Sequence, residues 1–469
     1  MSSLRRALLC ALLALGLLGA SAGPALAHAS LLGATPGIND RDVSEGQQSV
    51  TLRFSEPVQI LNRSDVSVVN QRDRRIDTGA AHTVKGDPQL LIIPVRGPLL
   101  PYSYTVRYRV VSSDSHAVSS AFVFAVGGAK LTEPILAGSG GLSDSSPVSV
   151  AARVVELTAL GLLVGLLAFR ALVWGPAVEM AGGLGAAERE RALGEGSRLF
   201  WRSFWGLAIL AGLAETVVLA AKSAVVFHTG LLAALLHPSD AYRLAAASRF
   251  GDLLGWRCGA LCLLVAVAFV AWNTETAEPP SAGRRSAMAG MGLIGLAALT
   301  LLADQGHASQ APLAPFQVAA DAVHLAGAAI WIGGLPLLLV VLLRAPRALP
   351  ETGRSLASAT LRCFSKVAFW SVIVISVTGL ARMLGELDSP AQLWETGYGR
   401  DLMLKASLLL PILLIAQRNR RLVAAIAGGL TPSAARLRTV VRSLQMELAI
   451  AMAIIVVAAV LVAQIPGRA

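Results

Sequence analysis

The feature that most limits what this chain can fold into is a series of apolar runs beginning after residue 147. Runs near 148–174, 203–226, 250–272, 287–303, 318–343, 363–381, 402–416 and 443–464 fill most of residues 148–465. A helix rises about 1.5 Å per residue, so about 20 apolar residues cross the hydrocarbon of a bilayer, and most of the runs reach that length. They predict an all-α polytopic membrane domain of about eight transmembrane helices over residues 148–465. The 402–416 run is the shortest and holds Pro411. A whole-chain content of 54% hydrophobic against 15% charged residues agrees with this and is too apolar for an ordinary soluble protein.

Charge supports the count. If the segment ahead of the first run is exported, alternate loops face the cytoplasm, and those loops hold seventeen Lys and Arg, among them Arg189, Arg284, Arg347 and Arg418. The opposite loops hold only Arg243, Arg249 and Arg400, with Arg468 in the tail. Cytoplasmic loops carry such an excess. The net charge of +11 is therefore a topology signal and gives no reason to expect nucleic acid. The expectation is eight spans with both mature ends outside.

Residues 1–27 read as a signal peptide, with Arg5 and Arg6, an apolar stretch from Ala7 to Leu18, and Ala-x-Ala at Ala25 and Ala27. Cleavage there leaves His28 as the first residue. Of the remaining cysteines, Cys258, Cys262 and Cys363 all fall in or beside apolar runs, so no disulfide framework is expected.

Residues 28–127 differ in kind. "VTLRFSEPV", "DVSVVN", "QLLIIPV", "YSYTVRYRVV" and "AFVFAV" show period-two alternation between Pro and Gly turns, which predicts an all-β small sandwich or Greek-key barrel domain. In the fourth run Tyr102, Tyr104, Val106, Tyr108 and Val110 share one face. Residues 128–147, rich in Gly and Ser, read as a linker.

Two constellations suggest metal chemistry. "SSDSHAVSS" holds Asp114 and His116, which share a face in extended backbone. A free amino-terminal His28 would add an amine and a ring nitrogen as a chelate, and the resulting N and O set suits Cu(II). No methionine lies between His28 and Lys130, so the soft thioether donors that Cu(I) prefers are missing from this domain. A hydrogen-bonded Asp and His in a loop is the alternative reading of the pair, and His82 reads as a surface residue.

In the membrane part, "ADQGHAS" and "AADAVHLAGAAIWIGG" each carry Asp-x-x-His, Asp304 with His307 and Asp321 with His324. A spacing of three puts both side chains of a pair on one helix face, with Trp331 on the face of His324. His307 is expected just past the outward end of span four, and His324 about 9 Å into span five. Ionisable groups at that depth are costly unless paired or facing a polar cavity. The pairs therefore predict a vestibule that receives a metal ion from outside; hydrogen-bonded pairs stabilising helix ends are the alternative. Met288, Met291, Met383 and Met403 are possible deeper soft ligands, although scattered helical methionines usually serve packing, as do Cys258 and Cys262.

"HASLLGATPG", "LRFSEPV" and "VVSSDSHAVSSAFVFAV" resemble the periplasmic copper-binding CopC family. "DAVHLAGAAIWIGG", "FSKVAFWSVIVISVTG" and "YGRDLMLKASLLL" resemble the CopD family of copper-resistance membrane proteins, over roughly residues 150 to 465. The resemblance implies a seven-stranded or similar barrel and a Cu(II) site on His28, Asp114 and His116, with Glu56 near it. Ser115 stands where the family usually has Gly. It also implies copper import across a bacterial inner membrane, with the soluble domain on the periplasmic side and with His307 and His324 contributing. The expected protein is a fused copper importer and not an enzyme, whose partners are copper ions, the lipid bilayer and other periplasmic copper carriers. No phosphate-binding loop is present, so no nucleotide is expected. Two rivals remain. One is a membrane cytochrome or metalloreductase with b-type haem on His307 and His324, without the Cys-x-x-Cys-His of covalent haem. The other is a copper oxygenase, which would want a flat aromatic face, and no Trp precedes Trp174.

Overall fold

Alternation along the strands decides how the amino-terminal domain closes. In β2 (Ser49–Phe54), Val50, Leu52 and Phe54 are buried while the residues between them are not. Leu91 and Ile93 of β6 (Asp87–Pro94) and Tyr104, Val106, Tyr108 and Val110 of β7 (Ser103–Ser112) point into the same core. The remaining strands are β1 (Leu31–Thr35), β3 (Val58–Gln59), β4 (Val66–Asn70), β5 (His82–Val84) and β8 (Ala117–Ala125). They form two antiparallel sheets, β1-β2-β6-β5 and β3-β7-β4, with β8 on the other side of β7. The domain is thus an eight-stranded sandwich with one shared core. The computed structural model describes residues 31–112, 117–135, 146–227, 229–274, 282–309, 313–349, 352–387, 389–427 and 434–463. His28, Asp114 and His116, and with them the expected Cu(II) site and signal peptide, lie outside the described residues.

One strand face departs from simple alternation. Ser103 and Thr105 are buried although they point away from the core. The chain after β8 covers them: the amide of Thr132 donates to Ser103 Oγ at 3.1 Å and that of Ile135 to Thr105 Oγ1 at 3.2 Å. The first part of the expected linker is therefore packed on the sandwich.

The rest is helical: α1 (Pro147–Met180), α2 (Ala186–Val226), the short α3 (Leu231–Leu236) and α4 (Pro238–Ala247), α5 (Arg249–Asn273), α6 (Ala282–Asp304), α7 (Ala314–Ala348), α8 (Gly353–Glu386), the short α9 (Gln392–Glu395), α10 (Gly397–Ala427) and α11 (Ala434–Val462). α1 opens on a Ser146 cap that accepts from the Ser149 amide, with Pro147 in the first turn, where its missing N–H costs nothing. Seven helices, α1, α2, α5, α6, α7, α8 and α11, are long and apolar enough to cross a membrane among the described residues.

The expected eighth span, 402–416, falls in α10, which is not among the seven: its apolar run holds Lys405 and Pro411 and stops at Gln417 and Arg418. Side-chain anchors nonetheless tie its two ends to opposite ends of the bundle. Tyr398 at its start donates to Glu386 at the end of α8 (2.5 Å), and Asn419 near its far end donates to Glu447 in the first half of α11 (2.7 Å). The end of α11 then returns to Tyr398 through Leu461. A 31-residue helix is about 46 Å long, enough for the thickness of the bundle.

Helices α1 and α7 touch backbone to backbone. A Cβ on Gly165 would lie 2.5 Å from the carbonyl oxygen of Ala329, and one on Gly333 would lie 2.5 Å from that of Gly161. Only glycine permits this approach.

The sandwich sits on one end of the bundle, called here the upper end. Val111 near the end of β7 packs in one apolar cluster with Ala152 of α1, Val218, Ala221 and Val226 of α2, and Leu244 of α4, with Leu61 beside it. Arg109 donates to the carbonyl oxygen of Val225, and Arg243 of α4 donates to that of Leu61 at 3.0 Å while its guanidinium lies over Phe227.

Candidate functional site

Beneath the sandwich the upper halves of α1, α5, α6, α7, α8 and α10 turn polar side chains toward one another. His324 is ten residues into α7, about 15 Å along the helix, because α7 begins at Ala314 rather than 318. Its Nδ1 is 3.1 Å from Thr378 Oγ1 of α8, and the Thr378 hydroxyl donates to the Val374 carbonyl at 2.6 Å. A hydroxyl has one proton, so Thr378 can only accept from His324. Thr378 thus accepts from Nδ1, and the ring is held as well by a backbone hydrogen bond to Ile375. Gly379 makes room for the ring, since a Cβ there would lie 3.3 Å from His324 Cε1.

One turn above, Asp321 pairs with Arg382 of α8 at 2.8 Å, as expected for an ionisable group at this depth. Arg382 also pairs with Glu386 at 2.9 Å, and Glu386 accepts from Tyr398. Asp321, Glu386 and Tyr398 are buried. These groups, with Arg153, Gln305, Met383 and Lys405, line a chamber of about 380 Å³. A second chamber of about 340 Å³ lies on the other side of His324 and Lys405, which border both, and reaches Trp331, Pro336 and Met452. Trp331, read from the sequence as sharing the His324 face, is buried at this lower chamber.

A second buried network reaches the upper chamber from α5. The fully buried Arg257 makes a two-bond fork to Glu215 (2.7 and 2.6 Å) and further bonds to Glu156 (2.7 Å) and Gln305 (2.6 Å). Arg153 pairs with Glu156 at 2.9 Å. None of these residues was singled out from the sequence. For Arg153, Glu156, Glu215 and Arg257 the signal was a charge inside an apolar run.

The expected pair of Asp304 and His307 does not share a helix face. α6 ends at Asp304, the chain turns at Gln305 and Gly306, and His307 opens a 3-10 turn (His307–Ser309). Asp304 instead pairs with Arg249 at 2.9 Å. Nothing is described of the His307 side chain. Among the described residues no group of three or more His, Cys, Asp or Glu is placed to hold a metal. Met291 is packed in the core, Met403 faces outward, and of the four methionines considered from sequence only Met383 lines a chamber. Cys262 is exposed, Cys258 half-buried, and His82 exposed on β5. Glu56 is buried where β2 turns into β3.

The fold and the chambers define a multi-pass helical membrane protein with an amino-terminal β sandwich seated on its bundle. The CopC domain family matches residues 31–127, and the family described as copper resistance protein D, CopD, matches residues 358–461, from α8 to α11. The copper transport protein CutJ of Bacillus subtilis (strain 168) is 26% identical over 451 residues, covering 92% of this chain and 73% of that protein. Protein YobA of Escherichia coli (strain K12) is 35% identical over 100 residues, 21% of this chain and 79% of that protein. The crystal structure of CopC from Methylosinus trichosporium OB3b covers 23% of this chain and all of that one, at 26% identity and a TM-score of 0.19. The chain carries a CopC domain followed by a CopD domain. Its role falls within copper binding and copper transport or resistance. Thr378, Arg382, Glu386, Tyr398 and Lys405 lie inside the CopD match, whereas His324 precedes it.

Proposed function

We propose that this chain captures copper outside the cell and carries it inward, the sandwich lying on the exterior or periplasmic face of the plasma membrane and the cargo passing through the two chambers. In this reading residues 1–27 are removed, His28, Asp114 and His116 hold Cu(II) on the domain spanning 28–127, and His307 and His324 receive copper in the domain spanning 148–465. The observation that carries it is the seating of the sandwich: Val111 of β7 shares an apolar cluster with the upper ends of α1 and α2, Ala152 among them, and the next residue, Arg153, lines the chamber of His324. Donor and acceptor are thereby held within one chain at a high effective concentration. Nothing in this scheme needs bond-making chemistry, which agrees with a carrier and not an enzyme. CutJ, named as a copper transport protein, supports the reading over most of the chain.

The test is copper uptake into proteoliposomes. Wild-type protein should load the lumen, and His324→Ala should lower uptake sharply while Cu(II) binding by the sandwich persists. Equal uptake by the variant would overturn the chamber as the route. An absorption spectrum of the same sample decides the rival in which His307 and His324 ligate haem, because a Soret band would replace copper passage by electron transfer.

A further inference from the structure

We infer that the paired chambers form a soft-metal path, with Met383, His324 and Met452 as successive donors, and that the copper passing through them is Cu(I). The inference rests on the reading above that the chambers carry copper, and adds the oxidation state and two ligands.

The donors on the page select the ion. His324 borders both chambers; Met383 lines the upper chamber and Met452 the lower. Cu(II) asks for a tetragonal set of nitrogen and oxygen ligands, and among the described residues no such cluster of His, Asp, Glu or Cys exists. The carboxylates nearest His324 are already engaged, Asp321 with Arg382 and Glu386 with Arg382 and Tyr398. Thioether and imidazole are the soft and intermediate donors that Cu(I) accepts at low coordination number. Charge points the same way. Arg382 and Lys405 are balanced by Asp321 and Glu386 at the chamber wall, so each positive charge brought in by the cargo is uncompensated, and a single charge costs less to desolvate there than a double one. Two neutral sulfurs bind such an ion without adding charge of their own.

Copper captured as Cu(II) must therefore gain one electron before entering. A low-molecular-weight thiol outside the membrane suffices as reductant: two Cu(II) and two thiols give two Cu(I), one disulfide and two protons.

Silver(I), soft and monovalent without any added reductant, is the probe. Full-length protein in nanodiscs is loaded with Ag(I), and X-ray absorption reports the ligands. Wild type should show sulfur neighbours. The near-isosteric double variant Met383→Leu with Met452→Leu, which preserves packing volume, should lose them. Its proteoliposomes should take up Ag(I) and Cu(I) at least about ten-fold more slowly, the loss that even outer-shell partners of a metal can cause. Cu(II) binding by the sandwich should not change, and a melting temperature of the solubilised variant equal to that of wild type shows that the bundle is folded. Sulfur scattering unaltered in the variant, or uptake at the wild-type rate, overturns the inference. If neither metal crosses while the sulfur signal depends on Met383 and Met452, transport fails and the soft path stands; if copper crosses with no sulfur signal, the reverse holds.

Discussion

Arg257 and Glu215 form a two-bond fork, at 2.7 and 2.6 Å, between α5 and α2 in a part of the bundle where neither side chain reaches solvent. The same guanidinium binds Glu156 of α1 and Gln305 after α6, so one side chain joins four segments. Removing one partner of a buried ionic set leaves the others desolvated without compensation, which costs about 3–5 kcal/mol. Arg257→Met should therefore lower the thermal stability of the detergent-solubilised protein severely. A melting temperature equal to that of wild type would show that the network contributes nothing.

Asp65 should make the sandwich sensitive to mild changes of pH. Burial raises its carboxyl to about 6, against the opposing pull of Arg109. An unfolded Asp titrates near about 4, so the folded form holds its proton more tightly. The contribution to stability is complete below about 4 and is lost as pH rises through about 6. Asp65→Asn should flatten this dependence in melts recorded between those values and neutrality. A wild-type profile already flat over that window would contradict it.

Cu(II) capture is predicted to depend on the terminus left by cleavage. His28→Ala, or one extra residue retained ahead of His28, should abolish the two-nitrogen chelate and weaken Cu(II) binding by about ten-fold or more, read by competition with a chelating dye. Affinity unchanged by both alterations would remove the chelate from the site.

Topology can be read directly. Ala427 at the end of α10 and Ala434 at the start of α11 lie at the end of the bundle opposite the sandwich. A reporter fused there should signal cytoplasm, and one fused in α4 should signal the exterior. Matching signals from both would exclude a crossing by α10.

The strands and most spans were legible because their signals are local. Period-two burial in β2 and β7 and the long apolar helices both follow from neighbours in sequence. The pairing of Asp321 and the burial of His324 were likewise foreshadowed by a short motif. Arg257 was not, because its partners stand 42, 48 and 101 residues away and no periodicity links them. Lys405 and Met452 were hidden for the same reason, each an isolated residue in an apolar helix. Asp304 misled because helical spacing was carried across Gly306, where the helix has already ended. The 402–416 run looked marginal because hydropathy registers Lys405 and Pro411 but not the anchors, Tyr398 and Asn419, that hold α10 across the bundle.

The glycine contact between α1 and α7 bears on how cargo could be admitted and released. With Gly161, Gly165 and Gly333 meeting directly, these two helices behave as a single rigid wall along the lower chamber. Shifting one against the other there would open a gap that no side chain fills. Bending is easier where a proline ring interrupts a helical hydrogen-bond ladder, at Pro336 of α7 beside the lower chamber and at Pro411 of α10.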